Sequence, residues 1–254
     1  MTDIERVKTG IEGLDKALNG GIPQGNLVLV SGGAGTGKST LGMQYLYNGA
    51  KMFGERGLYV STEQSEEELN KQASAYGWDL EDLIRKNLLR IEYIEVTKAE
   101  NALQRIYDAY TSFEPSRMVI DSLTTLTDSL LISGMKGNSA FSLIQVADTV
   151  SPFPNTEKTL SKAMLYRLIG KLKLFRATVL LTSELPEESH YLSADQTTEF
   201  IADGVIVLNY MSAGASAFRI LRIRKMRYSD HEKGSLAYDM TTKGIEIKEK
   251  EIDL

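Results

Sequence analysis

Cysteine is absent from this sequence, which excludes disulfides, thiolate metal sites and a cysteine nucleophile. The two histidines, His190 and His231, are too few and too far apart to form a zinc site. No apolar run approaches the length of a membrane span, and the N-terminal stretch MTDIERVKTG lacks the apolar core of a signal peptide. The expected location is therefore cytoplasmic, with no membrane partner. Internal repeats, low-complexity tracts and long linkers are also missing. The net charge of -5 argues against a generic nucleic-acid coat protein but leaves room for a local basic patch. What remains is 254 residues of ordinary globular composition, read as a single domain over 1–254.

Short β-branched or leucine-rich runs alternate with longer helical patterns. Strands are expected at 26–31, 57–61, 88–93, 117–121 and 178–183, and helices near 38–53, 65–76, 99–112 and 157–175. The run Ser65-Glu66-Glu67-Glu68 has the form of a capping box. This alternation predicts an α/β fold, a mainly parallel sheet between helices. After residue 200 the pattern becomes strands only, at 204–210, 217–225, 236–239 and 244–247. These are expected to extend one edge of the sheet in antiparallel fashion. Residues 133–156 hold two glycines and two prolines, and read as an irregular insertion that is either functional or simply mobile. Lys136, Asn138, Phe141 and Phe153 within it would suit a nucleic-acid or partner contact.

The stretch SGGAGTGKST follows the apolar run Leu27-Val28-Leu29-Val30, and Gly32 through Ser39 fit G-x-x-x-x-G-K-[ST]. A strand precedes it and a helical pattern follows, the context that separates a phosphate cradle from a flexible linker. Gly32, Gly33, Ala34, Gly35, Thr36, Gly37, Lys38, Ser39 and Thr40 are thus candidate nucleotide contacts. Glycines let successive N–H groups curl around phosphate oxygens, and the helix aims its positive end at them. Lys38 would reach the outer phosphates of ATP, and the Ser39 hydroxyl would ligate Mg²⁺.

In RMVIDSLTTL an apolar strand ends on Asp121, a second candidate metal ligand; a helix cap is the alternative. In LYVSTEQSEEEL, Glu63 lies just beyond a strand, where it could act on the attacking water or merely begin an acidic helix. The run RILRIRKMR would serve equally as an exposed basic edge strand. Tyr76-Gly77-Trp78 reads as core packing at a helix end, and His190 as a surface residue.

Taken together, TGIEGLDKALNGGIPQGNLVLVSGGAGTGKST, GERGLYVSTEQS, MVIDSLTTL, VLLTSE and RKMRYSDHEKG resemble the KaiC-like branch of the RecA/RadA ATPases, from about Val7 to Ile247. The chain resembles half of that branch's duplicated clock protein, or a single-domain archaeal RadA paralogue. The resemblance implies a RecA-like core assembled with itself as a ring or filament, with ATP between subunits. It also implies that Lys225 and Arg227, with His231 nearby, approach the ATP of the next subunit. Ser183 matches a position that senses the γ-phosphate, although a turn cap would also place it there.

Two departures stand out. Where the clock branch has two glutamates, this chain has Glu63-Gln64, so Glu63 alone would carry the base role and turnover would be slow. The positions of the kinase half's phosphate acceptors fall at Glu199 and Phe200, which argues against autokinase activity. Three functions follow: a nucleotide-driven switch ATPase in signalling, a single-stranded-DNA-binding regulator of recombination and repair, and a non-hydrolysing nucleotide-gated scaffold.

Overall fold

The computed structural model describes residues 4–95, 101–136, 156–186, 189–213 and 216–251. A small hairpin of β1 (Arg6–Val7) and β2 (Ile22–Pro23) encloses α1 (Glu12–Ala17) ahead of the main sheet. The sheet is built from β3 (Leu27–Gly32), β4 (Gly57–Ser61), β5 (Leu89–Tyr93), β6 (Arg117–Asp121), β7 (Thr178–Glu184), β8 (Gly204–Ala213), β9 (Ser216–Met226), β10 (Leu236–Thr241) and β11 (Gly244–Glu251). Its order is β11-β10-β9-β8-β3-β7-β6-β4-β5. From β5 across to β8 neighbouring strands run parallel, and from β8 to β11 they run antiparallel. The mainly parallel α/β sheet with an antiparallel extension is thus as the sequence predicts.

Alternation along each strand divides the core into two layers, because successive side chains point to opposite faces. Val28, Val30, Tyr59 and Val119 pack with Leu14, Leu41, Tyr45 and Leu69 on one face. Leu27, Leu29, Val60 and Ile120 pack with Ile106, Leu126 and Leu168 on the other. The first face is covered by α2 (Lys38–Phe53), α3 (Glu66–Ser74) and α4 (Leu80–Arg85). The second is covered by α5 (Ala102–Phe113), α6 (Leu123–Lys136) and α7 (Thr156–Leu172), while α8 (Thr198–Ile201) precedes β8. Among the described residues no helix is long and apolar enough to cross a membrane.

Ser65 caps α3 with the expected capping box: its hydroxyl accepts from the Glu68 N–H, and the Glu68 carboxylate accepts from the Ser65 N–H. α6 is expected from the sequence only as the short helix that an Asp121 cap would begin, since LTTLTDS is rich in residues that compete for backbone hydrogen bonds. Burial of Leu123 and Leu126 against the sheet overrides that preference. Residues 133–136 close α6 and 156 opens α7; the rest of the expected insertion, with Asn138, Phe141 and Phe153, lies outside the described residues. The basic run also departs from expectation. It forms β9, an interior strand between β8 and β10, so it is not an edge.

One contact beneath α2 carries a stability prediction. Arg117 is fully buried, ion-paired to Glu55, bonded to the Tyr45 carbonyl and stacked on the Tyr45 ring. A Cβ on Gly49 would fall 2.4 Å from Arg117 Nε. Gly49→Ala is expected to cost about 2 kcal/mol or more by overpacking, and to lower the melting temperature by ~4 °C or more. An unchanged thermal melt would show that the buried cation can shift without cost.

Candidate nucleotide site

The site forms at the carboxyl ends of β3, β4, β6 and β7, where open α/β sheets leave their crevice. β3 runs directly into the glycine-rich loop, and Gly37 caps α2 with φ 95°, a left-handed backbone that glycine adopts without strain. Gly32 is demanded by close approach: a Cβ there would lie 2.3 Å from the Leu208 carbonyl of β8. Lys38 folds over the loop, its ammonium donating to the carbonyls of Gly32 and Gly33, each at 3.0 Å. Thr36 closes the turn by donating to the Gly33 carbonyl at 2.8 Å.

Asp121 ends β6 buried, yet it is not a helix cap. That task falls to Ser122, whose hydroxyl accepts from the Thr125 N–H at 3.2 Å. The Asp121 carboxylate instead accepts from Tyr59 at 2.6 Å and from Thr182. Tyr59 thus holds Asp121, one of the two sequence-predicted metal positions. Burial, and then the Asp121 charge, push its phenol well above the ordinary tyrosine range. The Asp121–Ser122 peptide is cis.

Glu63 does not begin α3, which starts beyond it at Glu66. Its Oε1 accepts from Ser122 at 2.7 Å and from Thr125 at 2.9 Å, which ties the end of β4 to the start of α6. Gln64 turns back on its own strand, with its N–H donating to the Ser61 hydroxyl. Ser183 is buried at the end of β7, lies 3.3 Å from the Thr124 hydroxyl and accepts from the Ala194 N–H, so it does form a turn contact. Thr40 is buried 3.4 Å from the Tyr76 hydroxyl.

Lys225, Arg227 and His231 are not part of this cluster. Lys225 donates to the carbonyls of Glu199, Phe200 and Ala202, closing α8, and burial lowers its pKa. Arg227 and Lys173 both pair with Asp203, at 3.0 and 2.9 Å. His231 is half-buried, its Nδ1 2.8 Å from the Glu232 carbonyl. Trp78 is buried and stacked on Tyr47 and Tyr76, and His190 is exposed.

Several site residues escape a reading of the sequence: Tyr59, Ser122, Thr124, Thr125 and Thr182. The hydroxyl cluster in DSLTTL was the available signal. Tyr59 and Thr182 gave none, since each looks like an ordinary strand residue.

The group ATP·Mg²⁺ fits what is present. A serine hydroxyl and one carboxylate are hard oxygen donors, and Mg²⁺ is typically held by one or two such groups together with substrate phosphates. Among the described residues no group of three or more His, Cys, Asp or Glu forms a cage made by protein alone.

A strand, a glycine-rich loop and a helix at the carboxyl edge of a mainly parallel sheet, with an aspartate ending a nearby strand, define a P-loop ATPase of the RecA-like class. The ATPase family model for KaiC matches residues 7–146 and 143–252, and the chain belongs to that family. It is similar to the circadian clock oscillator protein KaiC of Synechococcus elongatus, with 31% identity over 96% of this chain and 44% of that protein. The KaiC of Rippkaea orientalis is 30% identical over the same shares. The chain thus spans less than half the length of these relatives. It also resembles the crystal structure of the KaiC-like protein PH0186 from Pyrococcus horikoshii, with a TM-score of 0.78, 30% identity, and coverage of 97% of this chain and 100% of that one.

Proposed function

We propose that the chain is an oligomeric, Mg²⁺-dependent ATPase whose sites are completed between copies, and whose slow hydrolysis drives a conformational switch in cytoplasmic signalling. The observation that carries this reading is a separation along the sheet. The glycine-rich loop leaves the carboxyl end of β3 after Gly32, whereas Lys225 pairs with Val205, which pairs with Leu29. Lys225 therefore sits about 10 Å behind the loop along the strand, and Arg227 follows the end of β9. Neither serves the phosphates held by its own chain, but a neighbouring copy stacked on this face would receive both.

Within the site, the Lys38 ammonium exchanges the Gly32 and Gly33 carbonyls for the outer phosphates. Ser39 and Asp121 would hold Mg²⁺, which when bound would neutralise phosphate charge and orient the γ-phosphoryl group. Glu63 orients a water for in-line attack and takes its proton, and Ser183 contacts the γ-phosphate. Lys225 and Arg227 of the adjoining copy neutralise charge developing on the transferred group. Catalysis is positioning and electrostatics throughout.

Phosphate release from ATP and Mg²⁺ at fixed salt, with and without single-stranded DNA and with Glu63→Gln as blank, tests the function. Glu63-dependent release that ignores DNA is the expected result. Stimulation by DNA with steep salt dependence would move the protein to recombination and repair. ATP-driven assembly without release would make it a scaffold.

Two substitutions test the parts. Lys38→Ala removes a charge-assisted contact and is expected to weaken ATP binding by about 10- to 100-fold in calorimetry; near-normal affinity would take the loop out of the site. Tyr59→Phe removes the hydroxyl that donates to Asp121. It is expected to raise the Mg²⁺ concentration at half-maximal turnover by a few fold, about 1 kcal/mol of lost orientation. An unshifted Mg²⁺ titration would deny Tyr59 any part in holding the metal ligands.

A further inference from the structure

We propose that a cross-strand row, Tyr210–Arg219–Tyr238, holds the glycine-rich loop in its phosphate-accepting conformation and so positions the nucleotide. This rests on the reading of Gly32–Thr40 as the phosphate cradle. Arg219 of β9 stands directly opposite Tyr210 of β8 on one side and Tyr238 of β10 on the other. Directly opposed residues share one face of a sheet, with Cβ atoms in contact range.

Both tyrosines reach the loop. The Tyr210 hydroxyl donates to the Gly35 carbonyl at 2.8 Å, and the Tyr238 hydroxyl donates to the Thr36 carbonyl. Arg219 Nη2 donates to the Tyr210 oxygen at 2.8 Å, and its guanidinium lies 4.9 Å from the centre of that ring. A guanidinium has donors only. The Tyr210 oxygen must therefore accept, and its own proton is left for Gly35. Burial pushes the Tyr238 phenol well up, so it too stays a donor.

The direction of these bonds decides what the loop presents. In a trans peptide unit the C=O and the next N–H point opposite ways. Pinning the carbonyls of Gly35 and Thr36 onto the row turns the N–H groups of Thr36 and Gly37 away from it. The Thr36 N–H meets the Gly33 carbonyl only at a long 3.5 Å. The carbonyls of Gly35 and Thr36 stay tied to the row when Lys38 leaves those of Gly32 and Gly33 for the phosphates. An anion entering the loop then meets N–H groups rather than carbonyl lone pairs. Arg219 Nε is buried with no partner among the described residues, a cost that packing alone does not explain.

The test uses Tyr210→Phe and Tyr238→Phe, which keep both rings, together with Arg219→Leu and Arg219→Lys. Binding of MgATP and MgADP is measured by calorimetry, steady-state turnover is followed, and melting is recorded without nucleotide. Each Tyr→Phe change is expected to weaken both nucleotides about five- to tenfold and to raise KM by the same factor, with kcat and the nucleotide-free melting temperature little changed. Arg219→Leu should match Tyr210→Phe, their double variant should lose no more than either alone, and Arg219→Lys should recover part of the loss. Wild-type affinity in both tyrosine variants overturns the row, as does a loss that tracks lowered nucleotide-free stability. A wild-type protein that binds no nucleotide removes the cradle reading and the row with it. Normal wild-type binding with unaffected variants removes the row alone.

Discussion

Glu63→Gln is expected to leave ATP affinity near that of the wild type while lowering the rate of phosphate release by ~10²–10⁴-fold, the usual worth of one positioned base. The geometry makes this substitution a clean one. Both bonds to the Glu63 side chain fall on Oε1, which accepts from the Ser122 and Thr125 hydroxyls. A glutamine carbonyl oxygen accepts the same two bonds, so the link between β4 and α6 survives, and only basicity is lost. The next residue in sequence is not a second carboxylate but Gln64, which cannot take a proton at neutral pH and whose backbone is engaged with Ser61. The measurement is single-turnover phosphate release alongside equilibrium ATP binding. A variant that releases phosphate within a few fold of the wild-type rate would mean that the attacking water is activated elsewhere. A variant that no longer binds ATP would make Glu63 a structural residue.

The parts of the site legible in the sequence are those fixed by local chain chemistry. Gly32 to Ser39 can be read because a loop that wraps phosphate needs a particular spacing of glycine, lysine and serine between a strand and a helix. Asp121 can be read because a carboxylate ending an apolar strand is unusual enough to notice. The supports of these groups come from strands distant in the chain. Thr182 reaches Asp121 from β7, Tyr59 from β4, and Tyr238 reaches Thr36 across about two hundred positions of sequence. In their own strands these look like ordinary β-formers, and only sheet order gives them a task. The same holds for α6, whose helical state is set by burial of Leu123 and Leu126 rather than by its hydroxyl-rich sequence. The basic run shows the converse. Its charge pattern suits an edge, but its place between β8 and β10 depends on pairings made after residue 200.

Arg227→Ala is expected to lower turnover by ~10³-fold, at the low end of what an arginine supplied to a phosphoryl group contributes, without emptying the nucleotide site. The fold should tolerate the change. Lys173 still pairs with Asp203, the Arg227 N–H bond to the Asp203 carbonyl is kept, and an ion pair whose arginine is 42% exposed is worth at most about 1 kcal/mol. Lys225 is the less clean choice, because its ammonium serves three carbonyls at the end of α8. Loss of rate alone would not show that Arg227 acts on a neighbour's nucleotide. Co-expression of Arg227→Ala with Glu63→Gln separates the two cases. If both groups had to come from one chain, every site in the mixture would be dead. If they come from adjoining copies, a site that takes Glu63 from one variant and Arg227 from the other is complete. Random assembly of equal amounts then restores about a quarter of wild-type turnover. A mixture no more active than its components would remove the shared site, and with it the reason for this chain to assemble around ATP.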